Sequence, residues 1–237
     1  MCYTPVKGVE AMKRIGLVVA VELEAFYRRY GSASAVLPCR GYDVLEYNIG
    51  GQKVYIAECG AGEIGAAAAT QLLISKFDVD FILNFGVVGG LTDDFAVEHS
   101  CVVKSVVHYA YDVSQAETVE PGCYLEYPEP FIPTDEALRR FALEQNPVLH
   151  EAVCASADKF VGDPAEKAEL HTRYGADICD MESAGILLTC IRSHVPCLML
   201  KLVSDGINGG AGEFFREFEK ASDRCVDLLD AFIHALD

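Results

Sequence analysis

Acidic residues lie next to predicted buried segments at three places in this chain. Glu22 and Glu24 come directly after the apolar run RIGLVVAV, and Asp205 follows the run CLMLKLV. Asp180 and Glu182 lie in the segment CDMESAGIL, just ahead of another apolar stretch. Carboxyl groups can transfer protons and can accept the paired hydrogen bonds of a sugar diol. The three acidic segments are therefore candidates for one catalytic cleft.

Each of these acids also has an ordinary structural explanation. Glu24 can be a solvated residue in the first turn of a helix, Asp205 can end a strand, and Glu182 can complement a helix dipole. A role in ligand binding or catalysis is favoured because ligands of open α/β sheets bind beyond the carboxyl ends of the strands. Other residues expected at that edge are Gly86, Gly89, Gly90, Phe160, Met181 and Ser204.

The elements that must position these residues alternate between strands and helices. Buried strands are predicted at 14–21, 81–85 (followed by a glycine-rich loop), 101–110, 152–161 and 197–205, and a hairpin at 43–59. Helices are predicted at 60–77, 134–145 with Thr134 as N-cap, 163–174 with Asp163 as N-cap, 183–194 and 213–236, and a long loop at 119–133. This order predicts an α/β fold, a single domain at 13–237 with a central mixed, largely parallel sheet flanked by helices, after an N-terminal tail at 1–12.

The composition excludes several classes of protein. The 237 residues are 51% apolar and carry a net charge of −17, which disfavours nucleic acids and anionic membranes as partners. The ten cysteines occur singly and the six histidines are scattered, so we expect buried reduced thiols and no metal site. Neither a signal peptide nor a membrane-spanning run is visible, and we expect a soluble cytoplasmic protein.

A glycine motif could suggest a nucleotide cofactor. Gly60, Gly62 and Gly65 form G-x-G-x-x-G between a strand and a helix, the pattern of a dinucleotide site. However, the motif follows the third strand-like segment rather than the first. The acid expected after the next strand is also missing, because that strand ends in Asn84-Phe85. Close packing between strand and helix is the favoured reading, and no cofactor is predicted.

Several segments occur together in one order between about residues 13 and 236. They are IGLVVAVELEAF, CGAGEIGAAAATQLLI, DFILNFGVVGGL, YAYDVS, ADKFVGD, DMESAGI and LKLVSDGI. In these segments the chain resembles the nucleoside phosphorylase/nucleosidase superfamily, most closely the methylthioadenosine/S-adenosylhomocysteine nucleosidases. The resemblance implies cofactor-free hydrolysis of the N-glycosidic bond of a 5′-substituted adenosine, a role in methionine salvage, and a homodimer. Asp112 lies in a segment that resembles the dimer interface, although an ordinary loop acid explains it equally well.

The resemblance also implies catalytic roles. Asp205 resembles the general acid that protonates N7 of the purine, which makes adenine a better leaving group. Ser204 would orient that acid. Glu24 resembles the base that activates water at C1′.

Further roles concern binding of the nucleoside. Glu182 resembles the carboxylate that accepts hydrogen bonds from the ribose hydroxyls, and Met181 would pack against the ribose. Phe160 would stack on the base, and the backbone of Val161 would meet the edge of the base. The remaining binding residues implied are Val87 and Gly89 in the glycine-rich segment and Lys201 near the water.

Two alternatives stay open at this stage. A phosphorylase needs a cationic phosphate site, but Asn84 stands where phosphorylases commonly have arginine, and Glu22 and Glu24 would repel phosphate. Hydrolysis is therefore favoured. Val87 and Lys201 depart from the nucleosidase pattern as well, since serine and arginine are usual there. These departures leave open a catalytically weak nucleoside-binding protein.

Overall fold

The computed structural model describes residues 12–127 and 129–236. Residues 1–11 of the predicted tail and residue 237 of the predicted domain lie outside this description. The strands are β1 Arg14–Val19, β2 Ala35–Cys39, β3 Tyr42–Ile49, β4 Gln52–Glu58, β5 Phe81–Gly90, β6 Ser100–His108, β7 Ile132–Pro133, β8 His150–Ser156, β9 Ile178–Asp180 and β10 Cys197–Asp205. The helices are α1 Leu23–Tyr30, α2 Glu63–Phe77, α3 Glu136–Gln145, α4 Pro164–Tyr174, α5 Ser183–Ser193 and α6 Ala211–His234.

The strands form one mixed sheet in the order β10-β6-β8-β9-β5-β1-β4-β3-β2, with β7 paired to β6. Strand β10 also pairs with β5, so that β5, β10, β6, β8 and β9 close into a ring. Three adjacent pairs of strands are parallel: β4 with β1, β1 with β5, and β5 with β10. This architecture confirms the predicted α/β fold, and it brings the carboxyl ends of β1, β5 and β10 to one edge.

Helices cover both faces of the sheet because its central strands are apolar on both sides. Every residue of β10 is buried, and so are all residues of β5 except Val87 and Gly89. One core combines strand residues with α1, α3 and α6, as in the packing of Phe26, Phe85 and Phe232. The second core combines the other face with α2 and α5. The two cores hold the strand ends, and hence the polar residues after them, in fixed positions.

Some predicted boundaries were wrong. The glycines after Phe85 continue strand β5 to Gly90, because they pair with β10 and β9. Asp163 caps α4 as expected, accepting from the N–H groups of Ala165 and Glu166. Thr134 does not cap α3. Its hydroxyl is buried and donates to the carbonyl of Val103, while Asp135 caps the helix.

Strands β2, β7 and β9 were not predicted. Strand β7 ends the predicted loop at 119–133, and β9 lies directly before the segment with Asp180 and Glu182. No helix in the described part of the chain is long and apolar enough to cross a membrane. The cysteines at the described positions are unpaired, and all but Cys39 and Cys59 are buried.

Candidate active site

A cavity of about 440 Å³ opens at the carboxyl ends of β1, β5 and β10. It is lined by Ala20, Val21, Glu22, Ala61, Val87, Val88, Gly89, Lys159, Phe160, Val161, Cys179, Asp180, Met181, Glu182, Ser204, Asp205, Phe214, Phe215 and Phe218. Eight of the ten residues predicted for the site are on this wall: Asp205, Ser204, Glu182, Met181, Phe160, Val161, Val87 and Gly89. The two predicted residues that do not line the cavity are Glu24 and Lys201.

The carboxylate that reaches the cavity from the end of β1 is that of Glu22, not of Glu24. Helix α1 begins at Leu23, and Glu24 is exposed in its first turn. Glu22 precedes the helix and is only 3% exposed. Its Oε1 accepts from the N–H of Val87 at 3.0 Å, and its Oε2 accepts from the N–H of Val21 at 3.0 Å. These two backbone donors turn Glu22 inward.

Lys201 lies behind the cavity wall rather than on it. It is buried, and its Nζ is 2.9 Å from Oδ2 of Asp180. Burial lowers the pKa of Lys201, but the neighbouring anions Asp180 and Glu182 more than offset this, so that the pKa is raised. The lysine therefore stays charged and balances the carboxylates of this part of the site.

A second buried ion pair holds Asp205. Lys167, on α4, is fully buried and its Nζ donates to Oδ2 of Asp205 at 2.5 Å and to the carbonyl of Gly206 at 2.8 Å. Gly89 leaves room for this pair, since a Cβ there would lie 3.3 Å from Asp205 Oδ2 and 3.4 Å from Lys167 Nζ. Lys167 therefore binds Oδ2 of Asp205 and does not bind Oδ1.

Ser204 contacts this second oxygen of Asp205. Its Oγ is 3.0 Å from Asp205 Oδ1 and 3.2 Å from the carbonyl of Val88. A hydroxyl has one proton, so Ser204 can donate to the carbonyl and accept from a protonated Asp205. Burial raises the pKa of Asp205, while the hydrogen bond and charge of Lys167 oppose that rise. The carboxyl can therefore hold and release a proton nearer neutrality than an exposed aspartate can.

Glu182 lies on the cavity wall directly before α5, and its carboxylate faces the N-terminus of α2. It is 8% exposed, and its Oε1 accepts from the N–H of Gly62 at 2.9 Å. Burial and the charge of Asp180 raise the pKa of Glu182 to about 7, against the opposing effect of Lys201. Within the described residues, the carboxylate accepts two backbone N–H groups, from Gly62 and Met181. It is therefore able to accept further donors from a ligand.

The glycine motif supports this arrangement. Its backbone N–H groups at the start of α2 already have acceptors within the protein, so they are not free to bind a dinucleotide. The N–H of Gly62 is taken by Glu182, and the N–H of Glu63 donates to Oδ1 of Asp158 at 2.7 Å. These are the helix N–H groups that a bound pyrophosphate would need. A Cβ at Gly65 would clash with the carbonyl oxygen of Cys59, so this glycine allows the close approach of strand and helix. In the described residues, no cluster of three His, Cys, Asp or Glu could hold a metal ion.

Aromatic rings form another wall of the cavity. Phe160 is 44% exposed and its ring packs edge-on against Phe214, with centroids 5.4 Å apart. Phe214 in turn contacts Phe215 and Phe218 on α6. Such a wall suits a flat, apolar ligand such as a purine ring.

The wall offers little positive charge. Across residues 12–127 and 129–236, Lys159 is the one basic side chain that lines the cavity, and it pairs with Glu166. Asn84 is buried, does not line the cavity, and donates to the carbonyl of Val18. Asp112 is exposed and accepts from the N–H of Ser114, an ordinary turn contact.

Sequence reasoning missed Lys167, Glu63, Ser156 and the phenylalanines of α6. For Lys167 a signal existed, because Lys167, Leu170 and Tyr174 follow helical spacing and form the buried face of α4. A lysine on an apolar stripe indicates a buried partner. For Glu63 no local signal existed, since an acid in the first turn of a helix is common at the surface.

Comparisons with known proteins support one family. A sequence model of the phosphorylase superfamily matches residues 14–236. The chain is 27% identical over 240 residues to an aminodeoxyfutalosine nucleosidase of Helicobacter pylori strain J99. This alignment covers 95% of this chain and 100% of that protein. It is 30% identical over 202 residues to a 5′-methylthioadenosine/S-adenosylhomocysteine nucleosidase of Shewanella denitrificans. This alignment covers 82% of this chain and 87% of the relative.

Solved structures agree with this result. A futalosine hydrolase mutant of Helicobacter pylori strain 26695 superimposes with a TM-score of 0.88 at 25% identity, covering 94% of this chain and 99% of that one. A 5′-methylthioadenosine/S-adenosylhomocysteine nucleosidase of Helicobacter pylori, solved with butyl-thio-DADMe-Immucillin-A, superimposes with a TM-score of 0.87 at 25% identity. It covers 94% of this chain and 99% of the neighbour.

Proposed function

The chain belongs to the phosphorylase superfamily, and from that premise we propose that it is a purine nucleosidase. It hydrolyses the N-glycosidic bond of a 5′-substituted adenosine to the free base and a sugar. Relatives named for 5′-methylthioadenosine, S-adenosylhomocysteine and aminodeoxyfutalosine support this substrate class.

The observation that carries the proposal is the placement of three carboxyl groups around one apolar cavity. Asp205, Glu182 and Glu22 reach it from the ends of β10, β9 and β1. Glycoside hydrolysis needs an acid for the leaving group, a base for water and a partner for the sugar hydroxyls. The three carboxyl groups match these three tasks.

At the base end, Asp205 is the general acid. Its proton passes to N7 of adenine as the bond between N9 and C1′ breaks and the bonding electrons move to the base. Lys167 stabilises the carboxylate that remains, because the ammonium group keeps its contact with Oδ2. Ser204 positions Oδ1, and Phe160 packs against the face of the purine.

At the sugar end, Glu182 accepts hydrogen bonds from the ribose hydroxyls, and Met181 packs against the ring. Glu22 takes the role that the sequence suggested for Glu24. It accepts a proton from the water that attacks C1′, and the N–H of Val87 holds its Oε1. Val87 needs no hydroxyl for this contact, so the departure at this position still allows hydrolysis.

Two features favour hydrolysis over phosphorolysis. The carboxylate of Glu22 would repel a phosphate ion at the place where the attacking group must lie. The basic group that lines the described cavity wall, Lys159, already has Glu166 as its partner. An apolar cavity with three carboxyl groups suits a neutral nucleoside and water.

The test is chromatographic detection of products. The protein is incubated with 5′-methylthioadenosine, S-adenosylhomocysteine, aminodeoxyfutalosine and inosine, each with and without phosphate. We expect free adenine and a reducing sugar from the three adenosine derivatives without phosphate. Release that requires phosphate would show a phosphorylase. A thermal shift with nucleoside but no product would instead identify a binding protein.

We also propose that the chain forms a homodimer through the surface around the start of α2. Ile64 is 82% exposed and Leu125 is 58% exposed, and Leu125 adjoins the stacked rings of Tyr111 and Tyr124, whose centroids are 4.0 Å apart. Sedimentation velocity should find a dimer that Ile64→Asp dissociates. The matched control, Val148→Asp at another exposed apolar position, should stay dimeric. A wild-type monomer would contradict the proposal.

The unpaired cysteines favour a reducing compartment, so we place the protein in the cytoplasm. Cell fractionation that recovered it outside the cytoplasm would overturn this assignment.

A further inference from the structure

Glu63, the first residue of α2, has no task in the proposed reaction and does not line the cavity. Its carboxyl group is nevertheless buried, with 7% of the residue exposed. Oε2 accepts from the N–H of Gly185 on α5, and Oε1 lies 2.5 Å from Oγ of Ser156. The ion pairs of the described residues include no cation for this carboxyl group.

The hydrogen atoms around Ser156 decide the charge of Glu63. The hydroxyl of Ser156 contacts two carboxyl oxygens, Glu63 Oε1 at 2.5 Å and Asp180 Oδ1 at 2.7 Å, and accepts from the N–H of Ala184 at 3.2 Å. A serine hydroxyl carries one proton. It can donate to only one of the two carboxyl groups, so the other must donate to it.

Asp180 is the ionised member of the two. It is 2.9 Å from the ammonium group of Lys201 and accepts from the hydroxyl and the N–H of Ser183. Glu63 must then carry the proton and donate it to Ser156. The charges that face Glu63 agree with this assignment, because burial and the anion of Asp180 raise its pKa to about 8, and Glu182 adds to the rise.

The contacts of Glu63 connect the starts of two helices at the site. Its carboxyl group holds Gly185 on α5, which begins one residue after Glu182. The N–H of the preceding residue, Gly62, donates to Oε1 of Glu182 at 2.9 Å. The distance between Gly62 and Glu182 therefore depends on the bond between Glu63 and α5.

We propose that Glu63 is a neutral carboxylic acid that donates its proton to Ser156 and thereby positions Glu182 for the ribose hydroxyls. This inference rests on the proposed function. When Glu63 ionises, two anions compete for the single proton of Ser156, and the starts of α2 and α5 separate. Binding of the nucleoside then weakens at alkaline pH.

The groups that face Glu63 come from α5, β8, β9 and the segments beside these elements. They are Gly185 and Ala184 on α5, Ser156 on β8, Asp158 after β8, Asp180 on β9, Glu182 and Tyr124. None of them is basic. Protonation of Glu63 is therefore the route by which this cluster avoids a further negative charge.

The kinetic experiment compares Glu63→Gln with the wild type, using 5′-methylthioadenosine between about pH 6 and about pH 9.5, a range that brackets the shifted carboxyl groups. Glutamine is neutral and can donate to Ser156 while accepting from Gly185, so KM should equal that of the wild type near neutrality. Above about pH 8 the KM of the wild type should rise about tenfold per pH unit, and that of the variant should not. Glu169→Gln, at an exposed glutamate of α4, is the control and should follow the wild type.

Two kinetic results would overturn the inference. One is the same alkaline rise of KM in Glu63→Gln as in the wild type. The other is a large rise of KM in the variant near neutrality with an unchanged melting temperature, which would mean that the charge of Glu63 is used.

A second measurement is independent of turnover. Glu63 has a folded pKa above its unfolded value, so its neutral form adds stability that is lost as pH rises from about 4.5 towards about 8. The melting temperature of the wild type should therefore fall across this range relative to Glu63→Gln, and Glu169→Gln should not differ from the wild type. If the melting temperatures of the wild type and of Glu63→Gln changed with pH in the same way, the inference that Glu63 is protonated would be overturned. If the wild type releases no adenine, the proposed function fails and this measurement alone decides the charge of Glu63.

Discussion

The two ends of the cavity balance their buried charges in different ways. At the base end, one carboxyl group, Asp205, faces one ammonium group, Lys167. At the sugar end, Lys201 is the ammonium group that faces Asp180 and Glu182, with Glu63 and Glu22 close by. The base end therefore has one cation for its one acid, whereas at the sugar end the acids outnumber the cation and need protons to limit the negative charge.

Because of this difference, we expect pH to affect binding mainly at the sugar end. The pKa of Glu182 is raised to about 7 and that of Glu63 to about 8, in both cases mainly by burial and then by Asp180. Glu182 accepts best as an anion and Glu63 holds the site as an acid. The sugar end should therefore bind best between these two values.

The largest effect is expected at the base end. Asp205→Asn keeps the size of the side chain but removes the proton that adenine needs, so kcat should fall about 10²- to 10⁴-fold. Binding of 5′-methylthioadenosine, measured by calorimetry, should change far less. An equal loss in kcat and in affinity would contradict the role of Asp205 as an acid.

The water-activating carboxylate offers a matched pair of variants. Glu22→Gln should lower kcat by about 10²-fold, because the amide cannot accept a proton from water. Glu24→Gln, at an exposed position two residues along the chain, should stay within about twofold of the wild type. Initial rates with saturating substrate measure both. The reverse order would return the role to Glu24.

Glu182→Gln tests the sugar end directly. The loss of one charge-assisted hydrogen bond, worth about 1.5–3 kcal/mol, should lower kcat/KM by about 10- to 150-fold. The fold should persist, since the amide oxygen can still accept from Gly62. Circular dichroism checks the fold. Activity like that of the wild type would show that Glu182 serves structure alone.

Among the variants of residues that act in the proposed reaction, Lys167→Met should change the rate least and the stability most. The pKa of Asp205 should rise further without its cation, so the alkaline limb of kcat/KM should move to higher pH while the rate falls roughly tenfold. A buried carboxylate without its partner costs about 3–5 kcal/mol at neutral pH, and less at low pH, where Asp205 is protonated.

A double variant keeps this test decisive if Lys167→Met does not fold. Lys167→Met with Asp205→Asn removes both charges and should recover much of the melting temperature. No recovery would mean that Lys167 stabilises the fold through packing alone.

Much of the site could be predicted from local pattern. The apolar runs of β1, β5 and β10 identified parallel strands, and the polar residues after them were expected at one edge. Asp205, Glu182 and Phe160 do line one cavity there. The pattern placed both Glu22 and Glu24 after β1 and the resemblance selected Glu24, but the cavity is lined by Glu22. An offset of two residues at a helix start changes the direction of a side chain.

Local sequence was enough to predict the alternation of strands and helices, the cap at Asp163 and the edge at which polar residues collect, because these depend on neighbours a few residues apart. The contact of Lys167 with Asp205, 38 residues away, and that of Glu63 with Ser156, 93 residues away, could be found only in the folded chain. Such pairs depend on strand order and register, which bring distant segments into a region of low dielectric. There, the hydrogen-bond partners of each carboxyl group decide whether it keeps its proton.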